Sequence, residues 1–181
     1  MFKGTQLIGT TNYAKEKPLL DEISHQYNLL SQTTDPQQRT AIQLQINKLN
    51  QQAAKYAIPN EFSKLLTRYG STAINAYTTL DETVYHSECA PQYIAQWCQL
   101  NSERFINPVF RLFQGELETV YEEKNRGEDN FGVQLMEHLQ GQVFKGCDYE
   151  FPIIGSTENL KNPRLSDMEA FYRKYYVANN M

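Results

Sequence analysis

Apolar residues along this chain recur first at helical spacing, then at strand spacing, then at helical spacing again. Leu19, Leu20, Ile23, Tyr27 and Leu30 follow Pro18 at helical intervals. They predict an amphipathic helix opening on that proline, whose fixed φ suits a first turn. After a break at Thr33-Thr34-Asp35-Pro36, Ile42, Ile46, Leu49, Ala53 and Tyr56 recur at steps of four and three, which predicts a second helix and an antiparallel hairpin of the two. Their polar faces are rich in Gln and Asn and read as solvated. Asn60 is placed to cap a short helix through Phe62, Leu65 and Leu66, with Gly70 as its stop. The period then shortens. Residues 71–79 and 83–87 are dense in β-branched and aromatic side chains, and Leu80-Asp81-Glu82 lies between them, so a β-hairpin is expected. From Pro91 the spacing is helical again, with Ile94, Trp97, Cys98 and Phe105 on one side until Asn107-Pro108. A further helix is expected from near Val109, carrying Phe110, Phe113, Leu117, Val120 and Tyr121. Another is expected from Phe131 to Phe144. Ser166 and Glu169 have the spacing of a capping box, which would open a last helix bearing Phe171, Tyr172 and Tyr175.

A length of 181 residues suits one domain, or a piece of a larger one. The formal net charge of −4, with no run of Lys or Arg, removes the electrostatic footprint that nucleic-acid binding needs. Apolar stretches are short, so no membrane span is expected, and the first 18 residues have no apolar signal-peptide core. The compartment is left unassigned: a soluble protein is expected, cytoplasmic or periplasmic depending on any sequence upstream of Met1. Cys89, Cys98 and Cys147 are odd in number and lack CxxC spacing, and they read as buried free thiols.

The local feature with most chemical content is the acidic run from Glu116 to Glu123. Two helical turns separate these two residues, so their carboxylates share a face, about 20° off register and roughly 10 Å apart along the axis. One could bind a metal while the other supports it; the plainer alternative is a solvated acidic stripe. His25, His86 and His138 lie far apart in sequence. On a strand, His86 and Cys89 would point to opposite faces, which speaks against zinc there. No Gly-rich phosphate loop and no Cys–His nucleophile signal is present.

Met1-Phe2-Lys3-Gly4-Thr5, Asn75-Ala76-Tyr77-Thr78 with Thr83-Val84-Tyr85, and Glu116 through Glu123 together resemble, in order and context, the insulinase/pitrilysin metallopeptidases. The 152–158 stretch and the closing Tyr175-Tyr176-Val177-Ala178-Asn179-Asn180-Met181 resemble later landmarks of the same domain. The resemblance implies an α+β fold, a mostly helical fragment with one antiparallel β-hairpin, belonging to a mitochondrial-processing-peptidase-like metallohydrolase domain. It implies that residues 1–181 form a partial peptidase domain and that residues 18–58 are an inserted helical hairpin. It places Glu123 at the family's third zinc ligand and Glu116 at the supporting, catalytically important glutamate of the same helix. Asn75, Ala76 and Tyr77 fall on the edge strand that pairs with an extended peptide substrate.

One departure decides what the chain can do. In that family MFKGT-like residues directly follow an HxxEH helix, and no HxxEH occurs in this sequence. Two zinc ligands and the general-base glutamate are therefore missing. A catalytic zinc site normally needs three protein ligands, so zinc is expected in an intact parent protein but not stably on this chain alone. The leading expectation is a portion of a zinc metalloendopeptidase that is inactive by itself. The alternative is a non-catalytic peptidase-like half that pairs with an active partner and helps bind substrate. Exposed edges of the hairpin would also favour self-association into a homo-oligomer.

Overall fold

The computed structural model describes residues 4–181. Its elements run α1 (Tyr13–Gln32), α2 (Pro36–Ala54), α3 (Glu61–Arg68), β1 (Thr72–Thr78), β2 (Thr83–Glu88), α4 (Ile94–Ile106), α5 (Phe113–Glu128), α6 (Phe131–Val143), α7 (Thr157–Lys161) and α8 (Leu165–Tyr175). β1 and β2 make a two-stranded antiparallel hairpin. The fold class is therefore the expected one, mostly helical α+β. The chain divides into two compact units: residues 1–75, 86–112 and 164–181 in the first, 76–85 and 113–163 in the second.

In the first unit, α1 and α2 pack as a helical hairpin. Ile23, Tyr27 and Leu30 are buried on one helix and Ile46, Leu49 and Ala53 on the other, as their spacing predicts. The Asp35 carboxylate caps α2 by accepting from the backbone of Gln37 and Gln38, and Pro36 takes the first helical position. The helix α1 begins earlier than expected, at Tyr13. Asn12 caps it through the Lys15 amide, and Pro18 lies inside it, where the proline removes one ladder hydrogen bond. What holds this extra turn is Glu16, wholly buried and paired with Arg111.

That pair organises the unit. Arg111 Nε donates to Glu16 Oε1 at 2.9 Å and Nη2 to Oε2 at 3.0 Å. Nη1 reaches the carbonyl of Ile8 (3.0 Å), and a second N–H of Nη2 that of Thr5 (2.8 Å). The segment from Gly4 to Thr10 is pinned further by bridges of Thr5 to Pro108 and Thr10 to Ala57 and by the Glu61 carboxylate, which accepts from the Gly9 amide. Gly4 has φ +142°, and a Cβ there would meet the Ile8 carbonyl oxygen at 2.2 Å and Arg111 Nη1 at 2.5 Å. Only glycine fits. The first three residues of the Met1-to-Thr5 landmark lie outside the described residues.

Beside this clamp, Phe62, Leu66 and Leu100 form a core, with Ile8, Leu65, Tyr69, Ile74 and Trp97 packed against it. The Arg104 guanidinium stacks 3.7 Å over the Phe62 ring. The buried face of α4 thus runs through Trp97, Leu100 and Arg104, which keeps Trp97 of the expected set and leaves out Ile94 and Cys98. Ile94 is 54% exposed and Cys98 is exposed, because Cys98 is turned about 100° from Trp97 around the helix. Cys147 is exposed as well and Cys89 half-buried, which corrects the expectation of buried thiols. Asn60 does precede α3, but in the left-handed region and without a side-chain cap. Gly70, at φ +73°, ends that helix as expected.

The last helix corrects another expectation. α8 starts at Leu165 with Arg164 as its cap residue, so Ser166 lies inside it and makes no capping box. Its hydroxyl bonds Asn28 Oδ1 at 2.9 Å instead, tying α8 to α1. Tyr172 is buried, donates to the Phe105 carbonyl at 2.7 Å and stacks on Tyr176 with centroids 4.6 Å apart. Burial, with the Tyr176 ring beside it, pushes its phenol up to about 12, against a smaller opposing pull from Arg104.

Two predictions follow from these contacts. Arg111→Met strands a buried carboxylate, so urea unfolding followed by Trp97 fluorescence is expected to lose about 3–5 kcal/mol of stability, and Glu16→Met in the same chain to restore part of it. A single-variant loss under about 1 kcal/mol would show that the pair is not the organising contact. The Tyr172 phenol has a higher pKa folded than unfolded. Its contribution is therefore fully present below pH ~10 and is lost as pH rises toward about 12. Tyr172→Phe is expected to flatten that alkaline decline in a pH series of thermal melts.

Candidate functional site

The five residues singled out above sit on two elements. Asn75, Ala76 and Tyr77 are consecutive in β1. The alternation of a strand sends Asn75 and Tyr77 to one face and Ala76, with Ile74, to the other. Ile74 and Ala76 are half-buried; Asn75 and Tyr77 are exposed. The hairpin is held at its base by Thr72 Oγ1 donating to Glu88 Oε2 at 3.0 Å and by Trp97 Nε1 donating to Ser87 Oγ at 2.8 Å. At its tip the Thr79 hydroxyl accepts from the amides of Asp81 and Glu82, a local turn that sets the register. The Tyr149 hydroxyl bonds the Asp81 carboxylate, and that bond raises the tyrosine pKa.

Glu116 and Glu123 lie on α5, as expected, though this helix starts at Phe113 and not near Val109. Leu112 adopts a left-handed φ of +55°, which breaks the helical run, and Val109 and Arg111 are buried in the first unit. Around α5 the two glutamates share one side: Glu116 is half-buried and Glu123 exposed. The neighbouring arc is the one that packs. Lys124, 6% exposed, donates to both carboxylate oxygens of Glu137 on α6, at 3.0 and 2.7 Å. Tyr121 faces α7, where Lys161 lies 5.8 Å from its ring centroid. Glu128 at the helix end accepts from Thr157 Oγ1 at 2.7 Å. These contacts fix the rotation of α5 about its own axis, and so the direction in which the Glu116/Glu123 face looks.

Lys124 and Glu137 were not legible as partners in the sequence. They are thirteen residues apart on different helices, beyond any i, i+4 rule. The only available signal was a lysine on the packed side of an acidic helix.

No protein-family model matches the chain. The chain is 23% identical over 110 residues to "Mitochondrial-processing peptidase subunit beta" of Caenorhabditis elegans, a match that covers 60% of this chain and 24% of that protein. It is 24% identical over 111 residues to "Ubiquinol-cytochrome-c reductase complex core protein I, mitochondrial" of Euglena gracilis, covering 60% and 22%. Its identity to the peptidase beta subunit of Blastocladiella emersonii is 22% over 110 residues, again 60% of this chain and 24% of the relative. The chain therefore spans about a quarter of the length of the curated relatives it matches. These likenesses support a peptidase-like fold.

Zinc does not fit the donors present. Among the described residues no group of three or more His, Cys, Asp or Glu side chains is placed to hold a metal ion. Two carboxylates on one helix face fall short of the three protein ligands a catalytic zinc takes. Also among the described residues, no helix is long and apolar enough to cross a membrane.

The Lys124–Glu137 pair gives the site its own test. Lys124→Met is expected to cost about 1–3 kcal/mol and to speed amide exchange across α6 by roughly tenfold or more, while exchange in α1 stays as it was. Unchanged α6 protection would mean that the pair does not fix the two helices together.

Proposed function

We propose that this chain is a portion of a zinc-dependent metalloendopeptidase and that it does not cleave peptides alone. The observation that carries the reading is Glu116 and Glu123 on one face of α5, in a chain similar to two processing-peptidase beta subunits. Glu123 is the residue proposed to meet the metal, Glu116 the one that supports the site, and Asn75, Ala76 and Tyr77 the strand proposed to pair with an extended peptide through backbone hydrogen bonds. The remaining ligands and the general base are assigned to an HxxEH segment outside these 181 residues. Residues 1–181 are then part of a peptidase domain, and residues 18–58 an insertion in it. The packing of α1 against α2 as a helical hairpin supports the insertion.

The Euglena relative, a core protein of the ubiquinol-cytochrome-c reductase complex, supports a second reading: a non-catalytic peptidase-like half that works beside an active one. A mixing assay separates the two.

On the first reading the coding sequence just upstream of Met1 encodes HxxEH in frame. The extended protein binds one zinc per site, and Glu123→Gln lowers zinc content and turnover of an extended peptide by at least about 100-fold, Glu116→Gln by roughly 10–100-fold. Absence of those codons, or an extended protein that holds no zinc, sinks it. Activity that appears only on mixing this chain with a separate HxxEH-bearing chain establishes the second.

A further inference from the structure

The second unit lacks an apolar core. Among its described residues Lys124 alone is buried, and its hydrophobic side chains are concentrated where nothing covers them. α6 is the extreme case. Phe131 (77% exposed), Leu135 (45%), Met136 (65%), Leu139 (46%) and Val143 (71%) fall within one arc of about 140° around this helix. The opposite side is the one already engaged: Glu137 pairs with Lys124, Val133 lies beside Gly127, and Gln140 donates to the carbonyls of Tyr149 and Phe151 at 2.9 and 3.1 Å.

Within the arc, Gly132, Met136, Leu139 and Val143 follow steps of four, three and four. That is the spacing of a coiled-coil seam, with the flanking positions taken by Leu135 and Gln142 on the open side and by Val133 and Gln140 on the engaged side. None of the seam or flanking residues is charged. A surface free of charge repels no copy of itself and offers no sign for an oppositely charged partner to read. An antiparallel pair of α6 helices related by a two-fold axis would set Met136 against Leu139 of the second copy and Gly132 against Val143, so the small residue meets the branched one at both ends. The five exposed side chains present on the order of 500 Å² of apolar surface, more than a solvated helix normally shows. Doubled over two copies, this reaches the roughly 1,000 Å² of total buried surface at which a specific contact begins.

We infer that the Met136/Leu139/Val143 face of α6 is the interface through which two copies of this chain associate, as an antiparallel helix pair. This inference does not depend on the peptidase reading. It also differs from association through the edges of the β-hairpin, since β1 and β2 contribute nothing to the seam.

Sedimentation velocity on the 181-residue chain tests it. The expected result is a monomer–dimer equilibrium with a dissociation constant on the order of 10 μM. Met136→Glu with Leu139→Glu places charges on both sides of the two-fold axis and is expected to weaken association at least about 100-fold. Both positions are exposed in the single chain, so its circular dichroism should stay unchanged. Leu44→Glu, at a 64% exposed position on α2, serves as the control and leaves the dimer intact. A wild-type chain that stays monomeric across the concentration range overturns the proposal. So does a dimer that survives the double substitution, which would put the contact elsewhere, at the hairpin edges or on another helix. If the double variant loses its helical signal, a nitroxide at Leu139→Cys, with Cys89, Cys98 and Cys147 changed to Ser, gives the second reading. A short interspin distance supports the helix pair, and a long one or none overturns it.

Discussion

A buried guanidinium has to find partners for its charge and its N–H groups, and Arg111 directs four of its five N–H bonds to one carboxylate and two backbone carbonyls. Three stretches far apart in sequence must therefore converge: Gly4 to Ile8, the first turn of α1 at Glu16, and the chain leaving α4. Much else in the first unit follows from this. Gly4 has to be glycine because the guanidinium and the Ile8 carbonyl occupy the space of a side chain. The helix α1 has to begin before Pro18, because its carboxylate lies in the turn that proline would otherwise have opened. Buried ion pairs add little net stability over apolar substitutes of the same shape. What this one supplies is a single permitted arrangement of those three segments.

The same contact marks the limit of what periodic patterns reveal. The α1–α2 hairpin, the hairpin of β1 and β2, and α6 were legible because each is specified by neighbours within one or two turns or across one tight turn. The start of α5 was not. Phe110 and Phe113 continue a helical spacing, yet Arg111 is held by a partner 95 residues away and Leu112 turns left-handed. The capping box at Ser166 failed for a related reason: its hydroxyl had a distant partner in Asn28. On α4, an arginine took a core position over Phe62, and Cys98 was displaced to the surface. The apolar spacing is therefore right at Trp97 and wrong at Ile94 and Cys98.

For the candidate site, the sequence carried the common face of Glu116 and Glu123, which is a property of helical geometry and needs no tertiary information. Their roles came from resemblance alone, and the structure adds something different: what sets the azimuth of that face. Lys124 is adjacent to Glu123 but turned about 100° from it, so its pairing with Glu137 fixes where the exposed Glu123 and the half-buried Glu116 stand around the helix.

The two units differ in how completely their own residues satisfy one another, and that difference bears on function. The first has a core around Phe62, Leu66 and Leu100, and its buried charge at Glu16 is paired. The second has the Lys124–Glu137 ion pair and an apolar arc on α6 exposed by up to 77%. That uncovered arc has no counterpart in the helical hairpin of the first unit. A unit built this way gains stability mainly through what packs on it, because a helix whose apolar side faces water forgoes the burial that normally holds it. The part of the chain with the most chemical promise is thus also the part that most needs another polypeptide surface against it.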